Sequence, residues 1–243
     1  MKPQEKIQTI LSDIAGALIE RDEEAALCVT GLLAEEHVLL VGPPGCAKSL
    51  LATLVKEAID GARSKVCHLC KDSPREAVFG PLKISKLKLD EYERVLAGGA
   101  AGVEVLVLEE VFSAGPAVLD TLLLVLNERV YAEGNSLVKT PLQFALGVTN
   151  LWQPEGCEAT TAAFFDRFTI RKQVHPIRTA AGRDRLLFMD DVDPAKALTQ
   201  RITLAELSEC RRGAAALALT RDAREALVNI TGALRSEGIE PSD

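Results

Sequence analysis

Residues 37–49 read His37-Val38-Leu39-Leu40-Val41-Gly42-Pro43-Pro44-Gly45-Cys46-Ala47-Lys48-Ser49. An apolar run of strand length ends at a glycine, turns tightly, and reopens as a helix predicted over Ser49 to Ile59. Strand, loop and helix in that order carry the phosphate-binding pattern G-x-x-x-x-G-K-[ST]. Gly42 and Gly45 let successive backbone N–H groups turn toward an anion, and the start of the helix adds the positive end of its dipole. Lys48 is spaced to reach the outer phosphates of a nucleotide, and Ser49 to place its hydroxyl on Mg²⁺. Ala47 departs from the pattern by standing where a second glycine is usual. Its methyl group is tolerable there if the residue has helical φ/ψ. The plain alternative is a Gly/Pro turn that happens to precede a lysine, and the flanking strand and helix argue against it.

A second chemical signal lies at Val103-Glu104-Val105-Leu106-Val107-Leu108-Glu109-Glu110. The near-continuous apolar run predicts a buried parallel strand. It delivers two carboxylates to its carboxyl end, the edge at which open α/β sheets bind ligands. One carboxylate suits the water shell of Mg²⁺, and the next suits an attacking water. The usual pair is Asp-Glu; Glu109 adds a methylene that moves its carboxylate about 1.5 Å. A strand followed by a charged turn is the alternative, weakened by the phosphate loop upstream.

The remaining segments supply a frame. Ile7, Ile10, Leu11, Ile14 and Leu18 predict an amphipathic opening helix, and a second follows Arg21-Asp22-Glu23-Glu24. The stretch Leu18 to Glu24 thus falls just before the phosphate loop, a position from which it could lie against a nucleotide base. Ser64 to Cys70 reads as a short buried strand, and Lys71 to Gly102 as polar and irregular. Gly115-Pro116 opens a helix ending at Asn127-Glu128-Arg129, followed by a hairpin over Val130 to Lys139 with Gly134-Asn135 at its turn. Gln143 to Thr149 is a buried strand that carries Asn150 to the same sheet edge, and Thr169 to Val174 is another. From Pro176 onward the pattern is helical, with a capping box at Thr203-Leu204-Ala205-Glu206. A last amphipathic helix carries Ala223, Leu227, Ile230 and Leu234.

Bulk properties remove several classes. A net charge of −7 over 243 residues gives no global basic footprint for nucleic acid. No apolar run approaches the ~20 residues that span a bilayer, and residues 1–6 lack the apolar core of a signal peptide. A cytoplasmic protein with its six cysteines as thiols is expected. Cys67-His68-Leu69-Cys70 reads either as a redox pair or half a zinc site, or as strand residues in which Cys is a small hydrophobe; the lack of a second such pair favours the strand. Lys83, Lys86 and Lys88 read as a solvated face or as a surface for an acidic partner.

In this order, the landmarks resemble the AAA+ ATPases, and specifically the MoxR family and its RavA-like branch. The resemblance is carried by Gly42–Ser49 with its alanine, Phe79-Gly80-Pro81-Leu82, Glu109-Glu110 with Ala114-Gly115-Pro116, Leu122-Leu123 through Asn127-Glu128-Arg129, Asn150, and Asp166-Arg167-Phe168. It covers nearly the whole chain. It implies a parallel five-stranded α/β core over residues 1–176 sandwiched by helices, then a partial all-helical lid over 177–243. It implies ATP or ADP with Mg²⁺, a nucleotide-binding set of Gly42, Pro43, Pro44, Gly45, Cys46, Ala47, Lys48, Ser49 and Leu50, and metal contacts from Ser49 and, through water, Glu109. Glu110 would activate water and Asn150 would sense the γ-phosphate. Arg167 looks like an arginine finger for a neighbouring subunit, with an in-chain pair to Asp166 as the alternative and Arg129 and Arg171 as weaker candidates. The function implied is an ATP-hydrolysing hexameric ring subunit that remodels or matures a protein partner, often one with a von Willebrand factor A domain. Two rivals are a nucleotide-gated binding module with little hydrolysis, and a nucleic-acid motor, against which the acidic charge argues. In such proteins a segment like residues 238–243 continues into a helix opening with a further arginine, so a truncated lid is expected.

Overall fold

The computed structural model describes residues 1–89, 91–133, 136–150 and 159–238. The chain opens with α1 (Pro3–Ala17) and α2 (Asp22–Ala34), enters β1 (Val38–Val41), and passes through the glycine-rich loop into α3 (Lys48–Glu57). A short β2 (Ile59–Asp60) precedes β3 (Ser64–His68), the short helices α4 (Arg75–Phe79) and α5 (Ile84–Leu87), and β4 (Val105–Glu109). Next come α6 (Pro116–Glu128), the hairpin strands β5 (Val130–Glu133) and β6 (Ser136–Lys139), β7 (Phe144–Thr149), α7 (Ala159–Phe165) and β8 (Ile170–Gln173). Helix α8 (Ala180–Phe188), helix α9 (Pro194–Ala197), strand β9 (Ile202–Thr203), and helices α10 (Leu204–Ala215) and α11 (Arg221–Ser236) complete the described chain.

Five of these strands form one parallel sheet in the order β3-β4-β7-β1-β8. β1 and β7 are buried along their whole length because they lie inside the sheet with both faces covered, which explains their unbroken apolar sequences. Alternate residues serve opposite faces. Val38 and Leu40 pack with Ile14, Leu51 and Leu207 on one side, while Leu39 and Val41 pack with Phe79, Leu122 and Phe164 on the other. Helices on both faces give three layers.

The expectation of a buried strand over Ser64 to Cys70 is corrected. β3 is an edge strand, and within it only Cys67 is buried. Burial pushes the Cys67 thiol up to about 11, whereas Cys70 is exposed beside the Ser73 hydroxyl at 3.3 Å. The five cysteines among the described residues are free thiols. The hairpin forms in antiparallel register, with Glu133 opposite Ser136; its turn residues 134–135 lie outside the described residues.

Thr203 caps α10 as its pattern requires. Glu206 N donates to Thr203 Oγ1 at 3.3 Å, and Thr203 N donates to Glu206 Oε2 at 3.0 Å. Leu207 and Cys210 of α10 join the core beneath α1 and α2. In α11, by contrast, Leu227 and Ile230 are exposed and Ala223 and Leu234 only half-buried, so its predicted apolar stripe does not join the core. No helix among the described residues is long and apolar enough to cross a membrane.

Candidate nucleotide site

All five strands run parallel, so their carboxyl ends gather at one edge. Gly42 leaves β1 there, donating its N–H to Thr149 O at 3.1 Å. A Cβ on Gly42 would lie 2.2 Å from the Val174 carbonyl oxygen, so glycine lets the loop pass the end of β8. Gly45 turns at φ +80 with open space where a side chain would stand, which leaves an unfilled cradle over the loop. Ala47 does not have right-handed helical φ/ψ; at φ 57, ψ 22 it is left-handed, the conformation for which the pattern's glycine is suited. α3 begins at the next residue with no side chain capping its amino end, so its first N–H groups are left for an anion.

Lys48 is buried, and its Nζ donates to Gly42 O at 2.6 Å, Pro43 O at 2.7 Å and Asn150 Oδ1 at 3.1 Å. These acceptors are neutral oxygens. Desolvation, the largest influence on it, helps hold the ammonium below its ordinary pKa. A phosphate would supply the missing anionic partner, so the cradle fits one. Asn150 Nδ2 in turn donates to Glu110 Oε1 at 2.7 Å. Glu110 stands just beyond β4 with a left-handed backbone at φ 52. Register places Glu109 beside His68 on β3, and His68 Nδ1 lies 2.5 Å from Glu109 Oε2. Ser49, Glu109, Glu110, Asn150 and Lys48 share one cleft of about 360 Å³. Hydroxyl and carboxylate oxygens are the donors Mg²⁺ takes, completed by water and substrate phosphates. No cluster of three or more His, Cys, Asp or Glu able to hold a metal occurs among the described residues.

A second, larger cavity of about 560 Å³ opens on the other side of the loop. Leu18, Ile19, Cys46, Leu50, Ile177 and Leu186 are among its walls. The Leu18 to Glu24 stretch thus reaches the phosphate loop as expected, and the cavity's lining is largely apolar, with Arg21, Arg183, Asp190 and Asp191 also in its walls, which suits a nucleotide base.

Arg167 lies elsewhere. It precedes β8 at the amino-terminal edge of the sheet, with Nη1 donating to Asn127 Oδ1 at 2.8 Å. Asp166 pairs instead with Arg171 at 3.6 Å, and Arg171 also covers the Phe165 ring at 4.3 Å. Arg129 is tied within the chain, donating to Leu126 O at 2.6 Å and Glu35 O at 3.2 Å. Of the lysine run, Lys83 pairs with Glu93, and Lys86 with Glu91 at 2.7 Å.

Three residues beside the site were not singled out as site residues from the sequence: Glu20, Arg21 and His68. The first two stand next to an ordinary helix start, and the contacts that matter are distant in sequence: Glu20 to Arg178, and Arg21 to Cys46 and His175. His68 gives a signal only when strand register is known.

The strand order, the anion cradle and the carboxylates at the carboxyl edge together define a P-loop nucleotide-binding core of the AAA+ type. A crystal structure of a Cytophaga hutchinsonii protein, described there as a candidate ATPase, shares the fold with a TM-score of 0.71 at 17% identity, over 97% of this chain and 71% of that one. Residues 5–210 match the family described as the MoxR domain of MoxR–vWA–β-propeller ternary systems. The chain belongs to this MoxR family of AAA+ ATPases. Its relatives include an uncharacterised protein of Methanocaldococcus jannaschii (31% identical, over 98% of this chain), the protein MoxR of Methylorubrum extorquens (26%, over 85%) and the chaperone MoxR1 of Mycobacterium tuberculosis (25%, over 69%). The chain spans 62%, 60% and 44% of the lengths of those three relatives.

Proposed function

We propose that this chain binds ATP and hydrolyses it as one subunit of a hexameric ring, remodelling or maturing a protein partner that carries a von Willebrand factor A domain. For this reading residues 1–176 are the nucleotide-binding core and 177–243 belong to a helical lid, and the site belongs to a cytoplasmic protein. A position near the RavA-like branch of the family rests on the resemblance of the motifs alone. The observation that carries the reading is the linkage of Lys48, Asn150 and Glu110, at 3.1 and 2.7 Å, over one cleft.

In the resting site the Lys48 ammonium is folded onto two loop carbonyls, and Glu110 is held by the Asn150 amide. An arriving γ-phosphate offers Lys48 an anion and Asn150 a new acceptor. Glu110 is then released to take a proton from the attacking water, while Asn150 holds the phosphate oxygen. Mg²⁺, held by Ser49 and through water by Glu109, would neutralise charge on the phosphates. Arg167 serves the site of a neighbouring copy, since it stands at the opposite edge of its own sheet.

Steady-state ATPase assays test this, with Glu110→Gln as the comparison. Turnover should fall by about 10²–10⁴ while ATP still binds. Activity that Glu110→Gln leaves unchanged would defeat the enzyme reading. One observation favours a nucleotide-gated binding module instead: Glu109 is drawn onto His68 at 2.5 Å, away from a free metal-facing pose. Tight ADP binding with turnover no higher than the Glu110→Gln comparison would establish that second reading.

A further inference from the structure

The apolar cavity beside the phosphate loop has walls from three separate parts of the chain: residues 17–19, the loop itself, and residues 176–192. One dipeptide, Glu20-Arg21, joins all three. Arg21 is only 4% exposed. Its Nε donates to Cys46 O in the loop at 3.1 Å, its Nη2 to His175 O at 2.5 Å, and its Nη1 to Glu20 O, with the Glu24 carboxylate 3.8 Å away. A guanidinium withdrawn from water persists only when backbone acceptors and a carboxylate compensate it, as here.

Glu20 reaches the opposite wall. Its backbone turns left-handed at φ 55. Its carboxylate accepts from Arg178 N at 2.8 Å, Thr179 N at 3.0 Å and Thr179 Oγ1 at 2.5 Å, at the amino end of α8. Those hydrogen bonds, the Arg178 amide first, hold the carboxyl at about 2, so it is ionised at neutral pH. The seat is close-fitting. A Cβ on Gly182 in α8 would fall 2.6 Å from Glu20 Oε1, 2.7 Å from Ile177 Cγ2 and 2.8 Å from Thr179 Oγ1.

We infer that Glu20 and Arg21 are positioning residues that set the width of this cavity, and thereby make the site select a base-bearing nucleotide over bare polyphosphate. The inference rests on the nucleotide reading of the phosphate cleft. Glu20 touches none of the phosphate cradle, so its contribution is confined to the wall that would face the base. Arg21 ties that wall to the loop.

Isothermal titration with ADP and with inorganic tripolyphosphate separates these contributions. The proteins are the wild type, Glu20→Ala and Gly182→Ala, each checked for an intact fold by thermal unfolding. Gly182→Ala disturbs the seat of Glu20 with a residue that favours helix, so weakened binding there would not reflect a melted α8. Both variants should bind ADP about tenfold or more weakly, through lost preorganisation. Tripolyphosphate affinity should stay within about twofold of the wild type, a change under 0.5 kcal/mol. Unchanged ADP binding, or an equal loss for both ligands, overturns the inference while leaving the nucleotide site standing. A wild-type protein that binds neither ligand overturns the nucleotide reading and this inference with it.

Discussion

At Ala47, φ 57 places a methyl group in the region glycine prefers, and Glu20 and Glu110 adopt the same conformation at φ 55 and 52. Left-handed geometry costs an L-residue about 1–2 kcal/mol, and these three carry it at the loop, at the cavity wall and at the proposed water-activating residue, while Glu35 and Arg129 carry it at helix ends away from the site. Ala47→Gly removes the strain at the loop but adds disorder to the unfolded chain. The net gain expected is about 0.5–1 kcal/mol, a rise in melting temperature of about 1–4 °C in calorimetry. A second residue-scale effect lies at His37, buried below β1. Ala145 N donates to its Nδ1 at 3.1 Å, and the Arg129 guanidinium sits beside Nε2. Desolvation first, and Arg129 second, lower its pKa from 6.5 to about 4. The unfolded chain therefore takes up this proton at higher pH than the folded one. Stability from the neutral ring is full above pH 6.5 and is lost as pH falls toward 4, by about 2 kcal/mol at pH 5. Urea titrations at pH 7.5 and 5 should show that loss in the wild type and a loss smaller by that amount in His37→Gln.

Among the elements, close approach at the sheet's centre controls where Asn150 ends up. Gly147 lies in β7 against Leu39 of β1 and Phe168, and a Cβ there would come within 2.9 Å of both side chains. Gly147→Ala should cost about 1–3 kcal/mol by overpacking, measured as a lower denaturant midpoint at unchanged slope. Because β7 delivers Asn150, turnover should fall more than ATP affinity does. What could be read from sequence divides along the same physical line. β1, β4 and β7 are central strands, and their continuous apolar runs announced both the strands and the edge where Lys48, Glu110 and Asn150 meet. β3 misled because an edge strand buries one face at most, and its alternation is too short to show. The left-handed turn at Ala47 is a loop conformation that composition does not encode, and the Arg21 contacts to Cys46 and His175 join residues 25 and 154 positions apart.

For the whole molecule, the two candidate halves of the chemistry face opposite ways. β1 alone spans four residues, about 13 Å, between the edge holding Arg167 and the edge holding Lys48. Arg167 sits in a polar recess with Glu35, Glu36 and Asp166, and no rotation of its side chain carries it round the sheet to its own cleft. If the arginine completes a neighbour's site, the interface is head-to-tail, and closure of such an interface makes a ring. That arrangement has a stoichiometric signature. Arg167→Ala keeps an intact cleft without the finger, and Glu110→Gln keeps the finger without the water-activating carboxylate. Each alone should be nearly inactive. Mixed in equal amounts and allowed to exchange subunits, about a quarter of the interfaces pair the intact cleft with the intact finger, so about a quarter of wild-type turnover should return. The restored rate should rise with total protein concentration as rings assemble, and fall when either variant is in large excess. A mixture as inactive as its components, under conditions where sedimentation shows exchanged assemblies, would place Arg167 outside the reaction and leave its bond to Asn127 as its whole role.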